Sequence, residues 1–285
     1  MEKYAVIGWP IKHSLSPQMQ LAGFHALGIT ADYEKLAVTP DKLADTVNKM
    51  RRNYKGWNVT VPHKQTIIPF LDTVEHTAAR IGSVNTIINR EGRLHGYSTD
   101  GWGLMTALKE SFGIDLQGRS FAFIGAGGAA RATAAYFAAS GAASIAVINR
   151  TLIKAQAVCQ LARELDPDCS AFSCTPGDVS QVRSILQAAD VIIQATSLGL
   201  NPTDPLPLDI QLLPTGKPVY EMIYRATPFL RAARAKNCPV ADGAGMLLHQ
   251  GAKSLELWTG QQAPVNAMRA ALQKALRRKP EQHNN

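Results

Sequence analysis

Cysteine is scarce in this 285-residue chain: Cys159, Cys169, Cys174 and Cys238 form no Cys-x-x-Cys pair and lack flanking histidines at zinc-site spacing. That excludes a disulfide framework and a metal site of the usual spacing, and it fits a reduced, cytoplasmic protein with no bound metal. Long apolar runs are lacking as well. No charged stretch followed by an apolar one opens the chain, so a secretory signal is not expected. The longest charge-free run near the middle, residues 132–149, is rich in Ala, Gly and Ser and is broken by Ser140-Gly141. It reads as a buried helix, a turn and a strand, not a membrane span. Acidic residues are in mild deficit, 22 against 30 Lys+Arg, for a net charge of +8. Such an excess suits an anionic ligand, nucleic acid or a membrane surface. However, Arg269, Lys274, Arg277, Arg278 and Lys279 against Glu281 place half of it at the C-terminal end, where it reads as a solvated helix end. Aromatics make up 7% and none is interleaved with those cations, so neither nucleic acid nor membrane is an expected partner.

What is present is an alternation of strands and helices, which predicts an α/β fold. Residues 4–8 form an apolar run ended by Gly-Trp-Pro; Ser16-Pro17 supplies an N-cap and a first-turn proline, and Gly28 closes that helix. Residues 33–38 read as a strand, Thr39-Pro40 opens a helix carrying Leu43, Val47 and Met50, and residues 57–61 read as a strand halted at Pro62. A helix through the sixties follows, then a hairpin of residues 85–89 and 93–97 split by Glu91-Gly92. A second alternation places strands at 120–124, 144–148, 171–173, 191–195 and 219–223, the pattern of a parallel, doubly wound sheet. After Asp242-Gly243 the pattern is helical. There is no Pro-, Gly- or Ser-rich linker, so the junctions are expected to be tight.

The strand ending in Ile124 runs into Gly125-Ala126-Gly127-Gly128-Ala129-Ala130, and an Ala-rich helix follows. This is G-x-G-x-x-A in its strand–turn–helix setting, the fingerprint of a Rossmann-type dinucleotide site: one glycine for the turn, one for backbone approach to a pyrophosphate, and Ala130 for close packing. The next strand ends Asn149-Arg150-Thr151, with Lys154 one turn on and no carboxylate to accept from a ribose hydroxyl. A cation in that place favours a 2′-phosphate, hence NADP over NAD.

Four polar clusters precede this motif, each at the end of a strand: His13-Ser14-Leu15-Ser16-Pro17, residues 58–64 (NVTVPHK), Val84-Asn85-Thr86 and Ser98-Thr99-Asp100. Open α/β sheets bind ligands at such strand ends, and the hydroxyls, amide, lysine and carboxylate suit a small polyhydroxylated anion. The segments GWPIKHSLSP, NVTVPHK, GSVNT, GYSTDG, GAGGAAR, NRT, ATSLG and DGAGMLLHQGA occur in this order. On these eight segments the chain resembles the shikimate dehydrogenase family (the shikimate/quinate dehydrogenase superfamily) to about residue 270.

The resemblance implies a two-domain α/β protein: a substrate domain of residues 1–102 plus 241–285, and a Rossmann-type doubly wound NADP-binding domain of residues 103–240. It implies reversible, NADP-dependent oxidation of shikimate to 3-dehydroshikimate in aromatic amino-acid biosynthesis, by a monomer or homodimer. Carried onto this sequence, Ser14 and Ser16 bind the substrate carboxylate, and Thr60, Asn85 and Gln250 bond ring hydroxyls. Lys64 and Asp100 form the catalytic pair: removal of hydride from a carbinol carbon requires a group to take the hydroxyl proton, and a lysine oriented by a carboxylate can take and return it. Thr196, Met222 and Gly243 line the cofactor at the nicotinamide end, with Tyr224 near substrate and nicotinamide. Gly125, Ala126, Gly127, Gly128 and Ala129 hold the pyrophosphate, and Asn149, Arg150, Thr151 and Lys154 hold the adenosine end. Departures are Gln20 and Leu21 for the usual His-Asn, Ser98 and Gln194 each for Asn, Ala244 for a common Leu, and a loop after Tyr224 about two residues short. They leave quinate or an aminated shikimate, with relaxed cofactor choice, as alternative chemistry. A non-catalytic NADP-binding sensor is the alternative from another class.

Overall fold

The computed structural model describes residues 1–201 and 203–277; Arg278, Lys279 and Glu281 of the basic tail lie outside the described residues. The chain divides into two compact units, one of Met1–Thr99 with the described residues from Leu247 onward, the other of Asp100–Met246. The first unit is therefore built from both chain ends. Its N-terminal part carries β1 (Glu2–Gly8), α1 (Ser16–Ala26), β2 (Ala31–Ala37), α2 (Leu43–Asn53), β3 (Gly56–Val59) and α3 (His63–Thr66), then β4 (Thr73–Val74), α4 (His76–Ile81), β5 (Thr86–Arg90) and β6 (Arg93–Tyr97). The second unit runs α5 (Asp100–Phe112), β7 (Ser120–Ile124), α6 (Gly128–Ala139), β8 (Ser144–Ile148), α7 (Leu152–Leu165), β9 (Ser170–Cys174), α8 (Val179–Ala188), β10 (Val191–Gln194), β11 (Val219–Glu221), α9 (Pro228–Ala235) and β12 (Val240–Ala241). Helices α10 (Ala244–Thr259) and α11 (Val265–Arg277) complete the described chain.

The first sheet has the order β2-β1-β3-β5-β6-β4. β1 pairs in parallel with β2 and β3, whereas β3, β5 and β6 are antiparallel neighbours. The β5–β6 connection is the expected hairpin, turning through Glu91 and Gly92 at φ 53° and 86°. Two positive φ values give the mirror-image turn whose twist matches the strands it joins. Neighbours in sequence face opposite ways: Ala5 and Ile7 pack with Leu43, Val47, Met50 and Trp57 in one cluster, while Tyr4 stacks on Phe24 at 4.5 Å and lies 5.0 Å from Trp258. Gly23 lets α1 approach its helical neighbours, since a side chain there would meet Leu255 at 2.6 Å and Met268 at 3.2 Å.

The second sheet is parallel throughout, in the order β12-β11-β10-β7-β8-β9. Counted within the unit this is the 3-2-1-4-5-6 Rossmann arrangement, which reverses direction between β7 and β10. Alternation along β7 divides the core. Phe121 and Phe123 pack with Leu104, Phe137 and Val158, whereas Ala122 and Ile124 pack with Leu186, Ile192 and Phe229 on the other face. Among the described residues no helix is long and apolar enough to cross a membrane.

Local differences from the sequence reading have local causes. The helix of the sixties is broken: α3 ends at Thr66 and a 3-10 turn, Ile68–Phe70, follows, because Pro69 has no N–H to continue the ladder. Strands β3, β10 and β11 stop at Val59, Gln194 and Glu221, short of the ends read from apolar patterning, because the next residues turn into loops. The two-residue strands β4 and β12 are too short to leave a period. The Phe121–Phe137 and Phe123–Phe137 ring pairs, at 4.8 and 5.9 Å, centre one face of the second core. Phe137→Ala is expected to destabilise that unit by about 3–5 kcal/mol, read from urea unfolding; a loss well under about 1 kcal/mol would contradict this packing.

Candidate active site

In the first unit the polar clusters sit on loops at the carboxyl ends of β1 and β3 and around the β5–β6 pair. Ser14 lies in the loop after β1, half-buried, and Ser16 is buried as the first residue of α1. The expected N-cap at Ser16 is corrected: Leu15 occupies the cap position and makes no side-chain cap bond. Instead Ser14 Oγ accepts from the Ser16 N–H at 3.3 Å and donates to Ser16 Oγ at 3.2 Å. The two hydroxyls thus meet at a helix N-terminus, where an anion is favoured. Thr60 follows β3, tied by its N–H to Ile7 O at 2.9 Å. Lys64 lies on α3, half-buried, and its carbonyl accepts from Val84 N–H at 2.8 Å.

Asn85 is buried at 2% exposure at the head of β5. Its Oδ1 accepts from Thr99 N–H at 2.7 Å, and its Nδ2 donates to Thr99 Oγ1 at 2.9 Å and to Gln250 Oε1 at 3.2 Å. Gln250 Nε2 in turn donates to Leu247 O at 2.8 Å. Beneath these, Asn58 Nδ2 donates to Ser254 Oγ, Thr86 Oγ1 and the Asn85 carbonyl at 3.0–3.1 Å, while Tyr33 donates to Asn58 Oδ1 at 2.7 Å. Burial holds the Tyr33 hydroxyl well above the ordinary tyrosine range, so it stays a donor. A satisfied buried network of this kind fixes the rotamers of its members.

In the second unit, loops at the carboxyl ends of β7 and β10 flank the reversal point of the sheet. Gly125 takes φ 112°, and a side chain there would meet Thr196 Cγ2 at 2.8 Å, so both conformation and space demand glycine. Gly127 caps α6 at an ordinary φ of −74°, and neither it nor Gly128 has any atom within 4 Å of a would-be Cβ. The protein's own packing does not require those glycines. Bare positions at a helix N-terminus are the cradle a pyrophosphate needs, and the residues fit a dinucleotide. Ala126 N–H donates to Asn149 Oδ1 at 3.2 Å, tying this loop to the end of β8. Ala129 is the second residue of α6, and Ala130 is fully buried against the sheet. Arg150, Thr151 and Lys154 are exposed; Thr151 holds the N-cap position of α7 with no side-chain cap bond.

At the other end of this edge Thr196 follows β10, Met222 follows β11, and Gly243 follows β12. Gly243 is buried with the backbone of Met222 where its side chain would stand, and its N–H donates to Ile223 O at 3.2 Å. Tyr224 is half-buried, and burial raises its hydroxyl pKa. Asp100 is 4% exposed and opens α5 as its first residue, in the second unit. All four cysteines are free and buried; burial pushes the thiols of Cys159, Cys169 and Cys174 up to about 11, so they are inert packing groups.

Three family descriptions match: shikimate dehydrogenase substrate binding domain over residues 6–87, shikimate/quinate 5-dehydrogenase over 106–200, and shikimate 5'-dehydrogenase C-terminal domain over 243–273. The shikimate dehydrogenase (NADP(+)) of Geobacillus kaustophilus is 42% identical over 98% of this chain and 100% of its own. The chain belongs to the shikimate dehydrogenase family. Among solved structures, shikimate 5-dehydrogenase from Listeria monocytogenes in complex with shikimate and NAD superposes with TM-score 0.88 at 34% identity, covering 95% of this chain and 96% of that one. Shikimate 5-dehydrogenase from Thermus thermophilus, in complex with NADP(H) and shikimate, superposes with TM-score 0.84 at 35% identity, covering 96% and 100%.

In this shikimate dehydrogenase family member two departures from the family spelling are buried. Gln20 is fully enclosed in α1, with Nε2 donating to Gly251 O at 2.9 Å, one residue past Gln250. Gln194 is enclosed at the end of β10; its Oε1 accepts from Thr196 N–H at 2.6 Å and its Nε2 donates to Leu198 O at 3.0 Å. Two residues were missed from sequence. Ser254 lies i+4 from Gln250 on α10, a polar repeat on an otherwise apolar helix face that signals its place in the network. Glu221 is the lone carboxylate in an apolar strand, and it is fully buried.

Burial pushes the Glu221 carboxyl up to about 7 from 4.5, against the pull of hydrogen bonds from Ile223, Thr227 and Gln194, with Asp242 adding a smaller upward push. The folded state therefore holds this proton more tightly than the unfolded chain. The resulting stability is complete below pH 4.5 and is lost as pH rises through about 7, on the order of 3 kcal/mol. Glu221→Gln cannot ionise, so its stability relative to the native sequence should improve between pH 5 and pH 8 in paired urea titrations; a constant difference would refute the assignment.

Proposed function

We propose that this chain catalyses the NADP-dependent, reversible oxidation of shikimate to 3-dehydroshikimate, as a cytoplasmic enzyme of aromatic amino-acid biosynthesis. The observation that carries the reading is the buried network joining Asn85, Thr99 and Gln250, three distant stretches of sequence, in a unit that matches the family's substrate binding domain. Such a network holds an amide and a carboxamide in fixed orientation, which discrimination among ring hydroxyls requires.

In this reading the first unit, with residues near 1–102 and 241–285, binds substrate, and the second binds NADP. Ser14 and Ser16 take the carboxylate at the α1 N-terminus; Thr60, Asn85 and Gln250 bond the ring hydroxyls, and Tyr224 is read as near substrate and nicotinamide. During oxidation Lys64 Nζ takes the hydroxyl proton while Asp100 orients the same group, and in reduction the proton returns. Bound NADP supplies the acceptor or donor of hydride. The α6 N-terminus, from Gly125 to Ala129, holds the pyrophosphate, and Asn149 and Thr151 with Arg150 and Lys154 grip the adenosine 2′-phosphate. Thr196, Met222 and Gly243 shape the nicotinamide end. Support for NADP over NAD comes from two exposed cations and no carboxylate at the end of β8.

Initial rates with shikimate and quinate, each with NADP+ and NAD+, test the reading; shikimate with NADP+ should give the highest kcat/KM, and quinate exceeding shikimate would overturn the substrate assignment. Lys64→Ala should lower kcat by about 10²-fold or more while NADPH still binds, and near-normal turnover would remove Lys64 from proton transfer. Replacing Arg150 and Lys154 together by Ala should raise KM for NADP+ by about tenfold or more and leave KM for NAD+ nearly unchanged; a parallel rise for both cofactors would refute their role at the 2′-phosphate.

A further inference from the structure

The loops that follow β10 and β11 are joined at their base by one buried side chain. Glu221, the last residue of β11, has no exposed surface. One of its oxygens accepts from Ile223 N–H at 3.2 Å, which bends the chain immediately beyond Met222. The other accepts from Thr227 Oγ1 at 2.8 Å and from Gln194 Nε2 at 3.5 Å. Each partner passes the constraint on. Thr227 Oγ1 accepts from Leu230 N–H at 3.1 Å and so caps α9. Gln194 spans its own loop, accepting from Thr196 N–H and donating to Leu198 O, and Thr196 Oγ1 accepts from Leu198 N–H at 3.1 Å. The rim is tied separately: Arg225 donates to the carbonyls of Gly199 and Leu200, and Asp204 accepts from Gly199 and Asn201 N–H at 2.9 Å. Gly243, with no room for a side chain beside the Met222 backbone, packs against the same turn.

We propose that Glu221 is a positioning residue for the nicotinamide end of the cofactor site, holding the loops after β10 and β11 in one arrangement so that Thr196 and Met222 present a fixed wall. The proposal rests on the reading of Thr196, Met222 and Gly243 as the nicotinamide end and of Arg150 and Lys154 as the 2′-phosphate end. Glu221 itself has no exposed surface to offer a ligand, so it acts through the loops it joins. Ionised, as it is above about pH 7, the carboxyl suits the place because it accepts from three donors at once, an N–H, a hydroxyl and an amide. An amide in its place turns an N–H₂ towards Gln194 Nε2, donor against donor, and releases the β10 loop without changing side-chain volume.

The two ends of the cofactor give the test, through calorimetric titration at pH 8, where Glu221 is ionised, with NADP+ and with adenosine 2′,5′-bisphosphate, which carries the 2′-phosphate end and no nicotinamide. In Glu221→Gln and in Thr227→Val the dissociation constant for NADP+ should rise about tenfold or more, while that for the bisphosphate stays within about twofold. Thr227→Ser, which keeps the hydroxyl, should bind NADP+ as the native sequence does, a rescue that separates the hydroxyl's bond from mere packing. Should Glu221→Gln fail to fold, the Thr227 pair carries the test. Unchanged NADP+ affinity in the variants, or equal weakening of both ligands, overturns the proposal. Failure of the unsubstituted protein to bind the bisphosphate overturns the nucleotide reading itself, and the proposal falls with it.

Discussion

Strands that run parallel cannot be joined by tight turns; each must be followed by a crossover that returns the chain to the starting edge. The loops leaving the carboxyl ends of parallel strands are therefore collected along one edge of their sheet, whatever their distance in sequence. Every functional reading of this protein depends on that constraint. In the second unit it brings the glycine loop after β7, the Asn149-Arg150-Thr151 turn after β8 and the loops after β10 and β11 to a common edge. In the first, parallel pairing of β1 with β3 sets the serine loop beside Thr60, and the antiparallel β5–β6 pair adds Asn85 and Thr99.

Within those edges the polar side chains are held by buried networks, and the two units use different ones. The first unit uses neutral groups, amides and hydroxyls, which can reorient to satisfy one another and carry no desolvated charge. The second unit places a carboxylate, Glu221, where three donors converge, and burial pushes its pKa up to about 7. A neutral network stays intact across the pH range in which the carboxylate changes state. Stability is thus linked to pH through this carboxyl in the second unit and not through the same means in the first.

Glycine serves two distinct purposes here. Gly125 and Gly23 are bare because the protein's own atoms crowd them: Thr196 beside the first, Leu255 and Met268 beside the second. Gly127 and Gly128 are bare where nothing of the protein stands near, at the start of α6. The first kind serves packing, and the second leaves a helix N-terminus open to a phosphate. The motif already separates the turn glycine Gly125 from Gly127 in sequence, while the role of Gly23 shows only in its surroundings.

Periodic patterning along the chain determined the α/β class, most strands and helices, the Glu91-Gly92 hairpin and the dinucleotide loop, because each depends on residues close in sequence. The family spelling named the polar residues Ser14, Ser16, Thr60, Lys64, Asn85, Asp100 and Gln250 from eight short segments. Strand ends and the cap of α1 were misplaced by a few residues, since apolar runs continue past the last ladder bond and the Ser14 hydroxyl displaced Ser16 as the group serving the helix start. What only the tertiary structure decided is which polar residues bond to which. Asn85 meets Gln250, 165 residues away, and Glu221 meets Gln194, 27 residues away. Those pairings follow from strand order and helix packing, which no local pattern encodes. Glu221 was invisible as a hub for the same reason: a lone carboxylate in an apolar strand acquires meaning only when burial removes its water and three donors replace it.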